Sequence, residues 1–136
     1  MTPAAADTLS VVIERDLPFP PEKIWRALTE PHLIEAWLMG NDFKPDVGHR
    51  FNFSADWGAV GGEVLVVEPN RSLTYTWQGR GLDSVVTWTL TPSGTGTHLR
   101  MQQSGFRGEQ QPAYQGATAG WPRFLDRLEQ LLAQAD

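Results

Sequence analysis

The chain has 136 residues, with 11 lysines and arginines against 16 aspartates and glutamates and a formal net charge of -5. A domain of this size buries roughly two thirds of its unfolded surface, and its acidic balance disfavours a phosphate backbone, so no nucleic-acid partner is expected. The sequence contains no cysteine, which excludes disulfides, thiolate metal sites and cysteine nucleophiles.

Residues 1–8 are small and polar with nothing to bury, and read as a flexible tail ahead of a single domain over 9–136. The opening MTPAAADTLS has neither the basic stretch nor the apolar core of a secretory signal. No run approaches the roughly 20 apolar residues of a membrane span, and a cytoplasmic location is expected. In LSVVIERDL, residues 9–17, Leu9, Val11 and Ile13 alternate as in a strand. The period then changes. Pro20 and Pro21 suit a helix start, with Ile24, Trp25 and Leu28 on one face. Pro31 opens a second short helix carrying Leu33, Ile34, Trp37 and Leu38.

Alternation returns at GHRFNFSA and persists through GEVLVVEP, SLTYTW, SVVTWTLTP and THLRMQQS, separated by PNRS, GRGLD and PSGTG. The spacing predicts an antiparallel meander of about five strands, since sequential strands usually pair. Leu73, Tyr75 and Trp77 share one face, as do Val86, Trp88 and Leu90, and Leu99 and Met101. Trp121, Phe124, Leu125, Leu128, Leu131 and Leu132 then recur at helical spacing, marking an amphipathic helix at the end of the chain. One strand, two short helices, about five strands and a long helix make an α+β fold with about six antiparallel strands.

Four stretches in this order, ERDLPFPPEKIWRALTEPHLIEAWL, GEVLVVEPNRSLTYTW, VVTWTLTPSGTGTHLRMQQSGF and GWPRFLDRLEQLL, resemble the SRPBCC superfamily, the START-like proteins of helix-grip fold. The branch is the one similar to the activator of the heat-shock-protein-90 ATPase (AHSA-type). The resemblance spans nearly the whole chain from about residue 9 and rests on the ordered set, with no catalytic signature among its parts. It implies a curved sheet wrapped around the long C-terminal helix with a deep pocket between them. It also implies a member that binds an apolar ligand or regulates a chaperone, with a stress-response role attached to the latter. In relatives of this kind the Gly-Trp pair lies inside the long helix, which would place its start near Pro112 and leave Pro122 in the interior, with a bend there. The opposing reading starts a new helix at Pro122.

The residues offer little chemistry. His32, His49 and His98 are isolated in sequence, and each reads as a solvated or singly hydrogen-bonded side chain, so no metal and no cofactor are expected. Ser54, Ser84 and Ser104 lie outside any G-x-S-x-G elbow. GAVGG, residues 58–62, fits no dinucleotide motif and reads as a mobile turn. Asp56 beside Trp57, and Arg80 and Asp83 in the next hairpin turn, are placed either at a pocket rim or as ordinary loop charges. Gln103 continues the inward parity of Leu99 and Met101; it either orients a ligand, caps a helix carbonyl, or lies at a frayed strand end.

The expected function is non-catalytic binding of a small aromatic or lipid-like molecule between sheet and long helix. The site residues are Phe53, Tyr75, Trp77, Trp88, Met101, Gln103, Trp121 and Phe124, around a void of about 300 Å³ or more. The alternative is a chaperone-regulator docking domain with a solid interior. A cyclase or hydrolase ranks third, because no acid/base pair is visible. A monomer and a homodimer both fit the sequence.

Overall fold

The chain folds by alternating which side of a strand is apolar, and then by a helix that covers the apolar side. A computed structural model describes residues 8–55, 58–79 and 81–134. Residues 1–7 of the expected tail, with Asp56, Trp57 and Arg80, lie outside these described residues. Strand β1 (Thr8–Leu17) leads into helices α1 (Pro21–Thr29) and α2 (Pro31–Trp37). Each helix has a proline in its first turn, where the missing N–H is not needed. Strands β2 (Gly40–Asn41), β3 (Arg50–Ala55), β4 (Gly58–Glu68), β5 (Ser72–Gly79), β6 (Leu82–Ser93) and β7 (Gly96–Arg107) follow. Helix α3 (Gln111–Gln134) ends the fold.

The seven strands form one antiparallel sheet in the order β1-β7-β6-β5-β4-β3-β2. From β3 to β7 this is the expected meander. The two-residue β2 is an addition that no alternation signals. The pairing of β1 with β7 closes the ends of the chain against each other, with Val11 opposite Gln103 and Ile13 opposite Met101. The curved sheet wraps α3 in a helix-grip arrangement, and α3 packs against β1, β7 and both short helices. No helix among the described residues is long and apolar enough to cross a membrane.

Parity held along the sheet: Leu73, Tyr75, Trp77, Val86, Trp88, Leu90, Leu99, Met101 and Gln103 are all buried. The aromatic rings meet mostly edge to face or tilted, as their quadrupoles favour. Trp37 stands perpendicular to Trp88 with centroids 5.8 Å apart, and its indole N–H donates to the Ala27 carbonyl at 2.8 Å, tying α2 to α1.

GAVGG is not a mobile turn. Its residues begin β4, with Val60 opposite Phe53 and buried. The reason lies across the sheet, since a Cβ on Gly62 would sit 2.0 Å from the Thr76 carbonyl oxygen and 2.5 Å from Phe51 Cζ. The glycine answers close backbone approach.

α3 runs unbroken through Pro122, so the reading of a new helix at that residue does not hold. Arg15 on β1 secures this part of the helix. It donates to Asp126 at 2.7 Å, to Glu129 at 2.6 Å and to the Pro122 carbonyl at 3.3 Å.

Candidate functional site

The apolar stripe of α3 changes character along its length. Its C-terminal half buries Leu125, Leu128 and Leu132 in the core. Its N-terminal half lines the space with small residues, Ala113, Gly116, Ala117 and Gly120, before Trp121 and Phe124, while Tyr114 packs edge-on against Phe106 with centroids 5.6 Å apart. Small residues cannot close the distance that leucines close, and a cavity of about 400 Å³ remains there. Trp77, Leu82, Gln103 and Phe106 line it from the sheet, and Met39 from the segment after α2. The volume lies within the ordinary range of ligand pockets.

Of the eight residues expected at the site, Trp77, Gln103, Trp121 and Phe124 form the wall. The other four make the layer behind it. Phe53 is tilted against Trp77 with centroids 5.4 Å apart. Trp88 supports Trp121 edge-on at 5.8 Å, and Met101 lies opposite Trp88 across the β6–β7 ladder. Tyr75 accepts a hydrogen bond from Trp88 Nε1 at 2.9 Å. Burial pushes its phenol well above the ordinary range, against the opposing effect of that bond, so the hydroxyl is protonated.

One polar chain crosses the apolar wall. Trp121 Nε1 donates to Gln103 Oε1 at 2.7 Å, Gln103 Nε2 donates to Ser84 Oγ at 2.9 Å, and Ser84 Oγ donates to the Trp77 carbonyl at 2.8 Å. Gln103 and Ser84 are only 2% and 3% exposed, so the chain holds helix, β7, β6 and β5 in one register within a low-dielectric interior. Gln103 thus bonds side chains, neither capping a helix carbonyl nor lying at a frayed end. Beyond these bonds its amide carries a second N–H and a second lone pair.

Sequence reasoning missed Ser84, although it shares parity with Val86 and Trp88. It also missed Phe106. Simple alternation from Met101 and Gln103 turns position 106 outward, but Leu9 pairs with Phe106 while Ser10 pairs with Ser104. The extra residue, Gly105, has φ of 108°, and this bulge turns Phe106 into the core. Asp83 falls at the start of β6 and accepts from Gln78 Nε2 at 2.7 Å, away from the cavity wall.

The histidines stand apart from this site. His98 differs from the expected single hydrogen bond. Both ring nitrogens meet carboxylates, Asp16 and Glu14, each at 2.7 Å, and these bonds raise its pKa from the ordinary 6.5. Among the described residues no group of three or more histidine, cysteine or acidic side chains is arranged to hold a metal.

A curved antiparallel sheet gripping a C-terminal helix over an apolar cavity defines an SRPBCC-type helix-grip domain. Residues 18–133 match the family described as Activator of Hsp90 ATPase homolog 1-like protein, and the chain belongs to that family. Among solved structures, it is similar to protein MLL2253 from Mesorhizobium loti, at 62% identity and a TM-score of 0.91, covering 94% of this chain and 99% of that one. CalU16 from Micromonospora echinospora is 26% identical with a TM-score of 0.79, covering 92% and 76%. DynU16, from the dynemicin biosynthetic locus, is 26% identical with a TM-score of 0.83, and the match covers 92% of this chain but 47% of DynU16. No curated protein matches the chain.

Proposed function

We propose that this protein is a cytoplasmic, non-catalytic binder of a small apolar molecule, aromatic or lipid-like, held between the sheet and α3. The observation that carries the reading is the cavity of about 400 Å³, walled by Trp77, Phe106, Trp121 and Phe124 with Gln103 as its polar point. An apolar enclosure with few polar groups suits binding and orientation. The place of the similar DynU16 in a biosynthetic locus supports a small-molecule role. The family description supports the alternative of docking on a chaperone, but that reading expects a solid interior.

The test is tryptophan fluorescence during titration with phenylnaphthylamine, an uncharged aromatic probe, together with native mass spectrometry of the purified protein for retained ligand. Saturable quenching is expected, and Gly116→Leu should abolish it. Gly116 lines the cavity and a Cβ there meets no atom within 4 Å, so the first side-chain carbon is accommodated and the leucine is expected to fill the space. Absence of quenching together with absence of retained ligand would leave the docking reading in its place.

A further inference from the structure

Beside the cavity a second space of about 440 Å³ opens, and the two share Met39, Gly120 and Phe124. Arg123 and Arg127 line this outer groove. Both side chains are exposed and lie at i and i+4 on α3, the spacing at which like charges repel on a helix. Asp126, the nearest acidic residue on the same helix, is engaged by Arg15 of β1. Among the described residues Arg127 contacts the Phe124 ring, its guanidinium 5.9 Å from the centroid, and Arg123 has no charged partner. No carboxylate lines either space among the described residues. In a protein of net charge -5, two guanidiniums with no acidic partner among the described residues therefore stand at the edge of the apolar cavity.

We infer that the molecule bound here is an amphipathic anion, its apolar body among Trp77, Phe106 and Trp121 and its anionic oxygen group held by Arg123 and Arg127. This rests on the binding reading above and specifies its ligand class. Guanidinium forks match the planar oxygens of carboxylates and the oxygens of sulfonates or phosphates. Phe124, shared by both spaces and lying beneath the Arg127 guanidinium, sets the boundary between apolar body and charged head.

The experiment compares two probes that share one ring body, uncharged phenylnaphthylamine and anilinonaphthalene sulfonate. In the Arg123→Gln/Arg127→Gln double variant the sulfonate should bind at least about tenfold more weakly, as expected for lost charge-assisted hydrogen bonds, while phenylnaphthylamine is unchanged. Arg71→Gln, exposed and remote from both spaces, should leave both affinities as they were. Added salt should weaken the sulfonate in the wild type and have little effect in the double variant. Displacement of the sulfonate by dodecanoate and by dodecyl phosphate separates carboxylate from phosphate, and stronger displacement by either than by dodecanol supports the assignment. Equal loss of both probes in the double variant, no loss of either, or displacement by dodecanol as strong as by the anions would overturn it. Failure of phenylnaphthylamine to bind the wild type would instead remove the binding reading itself, so the two failures are distinguishable.

Discussion

Gln103 shows how one side chain can join the architecture to the site. Its amide accepts from Trp121 and donates to Ser84 inside the wall of the cavity. Gln103→Leu keeps the volume nearly constant but strands the buried indole N–H, and should destabilise the fold by about 1–3 kcal/mol in urea denaturation. A loss well below that range would mean that the network contributes nothing to stability. His98 gives a pH signature on the other side of β7. Its hydrogen bonds to Asp16 and Glu14 raise its folded-state pKa above the unfolded 6.5. The stabilisation is therefore fully present below pH 6.5 and fades as pH rises through the higher folded value. The melting temperatures of the wild type and His98→Gln should differ most at about pH 5.5 and converge above the His98 titration, which NMR of the ring protons locates. A gap that widens with pH would refute this sign.

The last helix carries the clearest conflict between local preference and tertiary demand. Pro122 lies inside α3, where it has no N–H to offer the Thr118 carbonyl and where proline is disfavoured by about 3 kcal/mol. The segment remains helical because Trp121 and Leu125 are buried on either side of it and Arg15 holds the Pro122 carbonyl and the carboxylates beyond. Pro122→Ala should raise stability by about 1–3 kcal/mol, measured by thermal and urea unfolding. A lower melting temperature would show that the backbone shape imposed by proline is needed for packing against β1. Gly116 and Gly120 make a related point within the same helix. A Cβ at either meets nothing within 4 Å, so packing does not demand glycine there, and the open face they leave is the floor of the cavity.

The whole molecule is stabilised by aromatic area gathered on one side of a curved sheet, and its cavity lies where that area ends and the small residues of α3 begin. A ligand that binds only the folded state adds RT ln(1 + [L]/Kd) to its stability, about 2.7 kcal/mol at a hundredfold excess over Kd. Saturating phenylnaphthylamine should therefore raise the melting temperature of the wild type and leave that of Gly116→Leu unmoved, as read by calorimetry. An equal shift in both proteins would place binding elsewhere on the surface.

The sequence by itself determined the order of the main elements, the α+β class and most of the inward faces, but not β2, the start of β4 at GAVGG or the facing of Phe106. Period-two and period-3.6 patterns record burial directly, and Tyr75, Trp77, Trp88, Met101, Trp121 and Phe124 all fall on the side it predicts. Trp77, Gln103, Trp121 and Phe124 were legible as residues of the cavity wall because an inward parity and a helical stripe each point at the space between the layers. Parity says which side a residue faces, but it carries no distance. Only the tertiary structure decided that Phe53, Tyr75, Trp88 and Met101 stand behind the cavity wall, because depth depends on where α3 crosses the sheet and which of its residues are small. The structure also decided that the bulge at Gly105 turns Phe106 inward and that β1 reaches across the chain to β7, bringing Arg15 to α3. A one-residue register shift reverses every facing beyond it, and a contact between residues 15 and 126 leaves no local trace in either segment.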